Sequence, residues 1–126
     1  MNWILVALGG AIGASLRYGV GLLMLPIGGG FPWATWLVNI LGCVLAGCFF
    51  ALSLNYPALQ QEARLFLMVG ILGGFTTFSS FGLETFQLLK TGHINVALIY
   101  VVSSVVVGIL FLSLSFYLTK FVLSAE

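Results

Sequence analysis

The chain has 126 residues, of which 61% are hydrophobic and only 6% charged, with a net charge of +1 and one histidine. An ordinary soluble domain carries about 25% charged residues, so this chain has too little polar surface to fold in water. The same numbers exclude a basic nucleic-acid face and a His/Cys metal cluster, and no enzyme chemistry is expected.

A bilayer core about 30 Å thick takes roughly 20 apolar residues per helical span, and four spans with short connections then fill the whole length as one all-α transmembrane domain, residues 1–126. The first span is read from Trp3 to Leu25. It lacks the basic leader of a cleavable signal and carries Arg17 where an apolar stretch should lie, so it is expected to be retained. Pro26-Ile-Gly-Gly-Gly-Phe-Pro32 closes it. The second span runs from Trp33 to Leu54 and ends at Asn55, Tyr56 and Pro57, before a polar loop with Gln60, Gln61, Glu62 and Arg64. Its Cys43 and Cys48 are five apart, on different sides of a helix, and read as packing residues rather than a disulfide. The third span runs from Arg64 to Leu89, a turn over Lys90 to Asn95 places Gly92 at a helix C-terminus, and the fourth span runs from Val96 to Val122. Trp3, Trp33, Trp36, Tyr56 and Tyr117 fall near span ends, the aromatic belt of a membrane protein.

With an even number of spans, Arg64 and Lys120 lie on the side of the termini, while Lys90 lies opposite and Arg17 nearer to that opposite side. Two basic residues face two, and the positive-inside rule has almost nothing to act on. Insertion in both orientations, and pairing of oppositely inserted copies, is consistent with that balance; a single topology fixed by other factors is the alternative.

The third span holds the strongest chemical signal, Gly73-Gly-Phe-Thr-Thr-Phe-Ser-Ser-Phe81. Two glycines followed by two β-branched threonines make a poor helix, and unpaired backbone in lipid costs several kcal/mol per group, so a break here must be covered by protein or line a wet cavity. At such a break one half-helix aims carbonyls, suited to a cation, and the other aims amides, suited to an anion. The competing reading is an unbroken helix whose Gly70 and Gly74 allow close packing. Phe78 and Phe81 share a helical face, and their ring edges carry partial positive charge; ordinary packing is the other use of such a pair. Asn39, inside the second span, offers an amide either to an anion or to a neighbouring helix. Gly9 with Gly13 and Gly42 with Ala46 form small-residue patterns suited to helix packing.

Taken together, Arg17-Tyr18, Asn39-Ile-Leu-Gly42, the Gly73 to Phe81 motif with Glu84 and a small-residue fourth span resemble the Fluc (CrcB) family of fluoride channels. The resemblance implies an antiparallel dual-topology homodimer in the cell inner (plasma) membrane that exports fluoride passively and relieves its toxicity. It implies a third helix broken at its centre and a structural Na+ at the dimer centre, held by the main-chain carbonyls of Gly73 and Thr76. It implies a fluoride pore lined by Asn39, Phe78, Ser79, Ser80 and Phe81, with Tyr100 and Ser104 as fourth-span candidates and Glu84 as a carboxylate near the pore. Ser80 stands where the family commonly has Thr, and the hydroxyl is kept. A small dual-topology proton-coupled multidrug exporter is the alternative, but such a protein needs a carboxylate in its first span and this one has none. A scaffold subunit is the third reading, and a broken third span would serve it no purpose.

Overall fold

In the computed structural model, which describes residues 1–125, every regular element among them is helical. Helix α1 spans Asn2–Leu23 and α2 spans Trp33–Asn55. A 3₁₀ turn at Pro57–Gln60 leads into α3, residues 62–75, which winds as α over Glu62–Arg64, as π over Leu65–Leu72 and as α again over Gly73–Phe75. Helix α4 spans Phe78–Lys90 and α5 spans Ile94–Ser124. Among the described residues, four stretches are long and apolar enough to cross a membrane: α1, α2, the stretch Glu62–Lys90 and α5. The protein is an all-helical, multi-pass membrane protein.

The element ends follow local chemistry. Helix α1 stops two residues before the expected Leu25, because Pro26 disfavours helical backbone in the residue ahead of it. Gly29 and Gly30 then take positive φ values of 102° and 79° to turn the chain. Gln60 Nε2 donates to the Ser53 carbonyl at 2.7 Å and covers the C-terminal end of α2. Helix α4 closes with Gly92 at φ 84°, His93 N–H donating to Leu88 O at 2.8 Å and Gly92 N–H to Leu89 O at 3.2 Å, the paired bonds of a Schellman cap.

Two tight seams organise the bundle. Along the first, α1 lies against α3: a methyl on Gly9 would stand 2.5 Å from Phe66 O, and one on Gly74 would stand 2.6 Å from Gly10 O. These glycines let the backbones touch, and dispersion over that contact replaces the hydrophobic drive that lipid cannot supply. Along the second, α2 lies against α5, where Ser115 Oγ donates to Val44 O at 2.8 Å and Gly47 leaves room for the Leu112 carbonyl. Val38, Ala51, Ala97 and Tyr100 are buried in the bundle. Trp3 and Tyr117 are exposed near span ends, whereas Trp36 turns inward and donates from Nε1 to Ser103 Oγ at 2.9 Å.

Candidate functional site

Between α3 and α4 the chain leaves helical geometry for two residues. Thr76 has φ −82° and ψ 158°, and Thr77 has φ −151° and ψ 124°, both extended. In a continuous helix the Thr77 N–H would donate to Gly73 O, but it donates to Asn39 Oδ1 at 2.9 Å, and Asn39 Nδ2 donates back to Thr77 O at 3.1 Å. In the same way the Ser80 N–H, which would serve Thr76 O, donates to Thr77 Oγ1 at 3.2 Å, making Thr77 the N-cap of α4. The carbonyls of Gly73 and Thr76 are thus stripped of their helical donors. The Gly74 carbonyl instead accepts Arg17 Nε at 3.0 Å. Thr76 is tied back to α3, its N–H and Oγ1 donating to Leu72 O at 2.9 and 2.8 Å.

A cavity of about 450 Å³ opens beside this extended pair. Asn39, Gly73, Thr76, Phe78, Phe81 and Ser104, from α2 through α5, all line it. Ser104 lines the cavity, but its Oγ is buried behind the wall and has no hydrogen-bond partner among the described residues. The Phe78 and Phe81 ring centroids are 5.8 Å apart. Phe81 is half-buried, but Phe78 is 83% exposed.

The remaining expected residues lie beside the cavity rather than on it. Ser79 is exposed, with its Oγ 3.4 Å from Thr77 Oγ1, and Ser80 takes part through its backbone N–H. Tyr100 is wholly buried, its ring 5.0 Å from Phe81 on one side and 5.4 Å from Phe31 on the other, and its hydroxyl donates to Glu84 Oε1 at 3.4 Å. Glu84, with Phe31, Gln87 and His93, lines a second cavity of about 440 Å³ beneath the Pro26 to Pro32 loop. Tyr100 therefore stands between the two cavities, in contact with a residue of each. Three participants escape the sequence reading. Arg17 is counted there for topology, although an arginine within an apolar span already asks for a partner. Gly42 reads as helix packing and Thr77 as one of two β-branched threonines that weaken the helix, and nothing in their spacing announces what each touches.

Comparison with known proteins adds an independent line. The family described as CrcB-like protein, Camphor Resistance, matches residues 4–116. A Thermus thermophilus protein named fluoride-specific ion channel FluC is 53% identical over 109 residues, 86% of each chain. The protein of that name from Methylobacillus flagellatus is 43% identical over 124 residues, 97% of each chain. The one from the J-10-fl strain of Chloroflexus aurantiacus is 46% identical over 110 residues, 86% of this chain and 87% of its own.

Proposed function

Because this chain belongs to the CrcB-like family, we propose that it is a passive, fluoride-selective channel, a transporter and not an enzyme, which lets fluoride leave the cell across the inner (plasma) membrane. The observation that carries this reading is the convergence on one cavity of an amide and a phenylalanine pair beside non-helical backbone, with the unpartnered Ser104 hydroxyl buried behind its wall. Fluoride is small and holds water tightly, so a pore must replace that water with many donors, each weak enough to let go. Ring edges of Phe78 and Phe81, the Ser104 hydroxyl and the second amide proton of Asn39 meet that need, since Asn39 commits the first to Thr77 O. The Ser79 and Ser80 hydroxyls continue the track along α4, and Tyr100 with Glu84 forms its far end. A larger anion fits such a narrow aromatic and hydroxyl passage badly.

The working unit in this reading is an antiparallel homodimer of a single channel domain, with the third span broken at Thr76 and Thr77. An 83% exposed phenyl ring at this point of the span supports a second copy that covers it. The carbonyls of Gly73 and Thr76, freed of helical donors, are hard oxygen ligands that fit Na+ better than a soft metal. When bound, that ion supplies charge and rigidity where two copies meet. The exporter alternative has no supporting residue: α1 contains no carboxylate, and its arginine is engaged with Gly74.

Purified protein in liposomes loaded with fluoride, and separately with chloride, tests the reading. Rapid fluoride loss with chloride retained is expected once the counter-charge is relieved by a potassium ionophore. Retention of both ions, or equal loss of both, defeats it.

A further inference from the structure

Gly42 lies on the face of α2 that meets the extended pair, three residues after Asn39, and it is buried. A methyl built on it would overlap Thr76 Cγ2, with Thr76 Cβ at 3.6 Å. Elsewhere such an overlap is relieved by turning the threonine about χ1. Here Thr76 Oγ1 donates to Leu72 O at 2.8 Å, and turning the side chain breaks that bond. One residue along, Asn39 grips Thr77 by both backbone groups, at 2.9 and 3.1 Å. Thr76 is thus fixed from behind by Leu72 and from ahead by Asn39, and only the missing side chain of Gly42 leaves room for its methyl. Arg17 holds Gly74 from the other side at 3.0 Å.

We propose that Gly42 is a positioning residue for conduction: it seats the Thr76 methyl, and through it sets where the Gly73 and Thr76 carbonyls and the N-terminus of α4 stand relative to the cavity. The inference rests on the channel reading above and adds to it a residue that lines the same cavity yet acts on permeation by leaving room for Thr76. A displaced Thr76 would move the start of α4, and with it Phe78 and Phe81, away from Asn39 and Ser104, which belong to other helices.

The test compares Gly42→Ala with Gly42→Ala/Thr76→Ser, because serine keeps the hydroxyl bonded to Leu72 and removes the methyl that the introduced alanine would strike. Fluoride flux per active channel is read separately from the fraction of vesicles that conduct, so misfolding, which empties vesicles of channels, is told apart from slow permeation. Gly42→Ala is expected to elute as the wild-type assembly and to lower flux per channel by about tenfold, equivalent to about 1.4 kcal/mol on the permeation barrier. In the Thr76→Ser background the same alanine should change flux by less than about threefold, or about 0.7 kcal/mol. Wild-type flux from a folded Gly42→Ala, or an equal loss in both backgrounds, overturns the inference. If Gly42→Ala alone does not fold, the double variant decides: it should fold and conduct like Thr76→Ser, and failure of either kind is a refutation. Wild-type protein that conducts no fluoride would instead refute the channel reading.

Discussion

Phe78 and Phe81 sit three residues apart, yet they meet different surroundings: Phe81 packs on the buried Tyr100 at 5.0 Å, while Phe78 is 83% exposed within one protomer. Replacing each by isoleucine keeps apolar bulk and deletes the electropositive ring edge. Phe81→Ile is expected to cost about 1 to 3 kcal/mol of stability through lost packing, and Phe78→Ile much less in the isolated protomer. Both are expected to conduct fluoride poorly from a well-folded assembly. Efflux measured beside size-exclusion profiles checks this, and normal efflux from both folded variants would remove the rings from the mechanism. Asn39 shows what a sequence leaves open at this scale. An amide in a span needs partners, but only the folded structure reveals that it pairs with both backbone groups of Thr77. Asn39→Ala orphans those groups and should cost about 1 to 3 kcal/mol, visible as a lower thermal unfolding temperature in detergent.

At the scale of elements, glycines of one helix divide into two kinds that sequence alone does not separate. Gly9 and Gly13 touch α3 backbone, while Gly19 and Gly21 have open space where a methyl would go. Gly13→Ala should therefore loosen the α1 seam by about 1 to 3 kcal/mol, whereas Gly19→Ala, at a free helical position, should stabilise by up to about 1 kcal/mol through helix propensity. Opposite shifts of the unfolding temperature are the expected result, and shifts of one sign would reject the seam. Hydrophobic length and the Pro and Gly breakers made four long apolar helical stretches legible. The π stretch Leu65–Leu72 was not legible, because an i to i+5 winding leaves the apolar run unchanged and depends on the neighbour it packs against. The cavity was legible only in part: Gly73 to Phe81 marks itself by composition, but Gly42 lines it through its contact with Thr76, and Arg17 reaches the Gly74 carbonyl next to it from another helix.

For the whole molecule, the proposed antiparallel pairing requires insertion in both orientations, and the charge balance bears on that. Arg17 donates to Gly74 O inside the bundle, which withdraws it from the flanks that the insertion machinery reads and leaves Lys90 against Arg64 and Lys120. A difference of one charge is still a weak instruction, so unmodified protein is expected in both orientations, with single cysteines at the termini labelled from each side of the membrane. A run of lysines added to the C-terminus should hold the termini in the cytoplasm, and a run added beside Lys90 should do the reverse. If antiparallel pairing is required, each biased variant alone lacks its partner and should conduct little fluoride, although it still inserts. Expressing the two together restores opposite orientations in one membrane, and conduction should return. A parallel dimer or a monomer predicts the contrary: each biased variant conducts alone and the mixture adds nothing. Labelling of unmodified protein from one side only, or full conduction by a single biased variant, would exclude the antiparallel assembly while leaving the fluoride pathway itself to be judged by efflux.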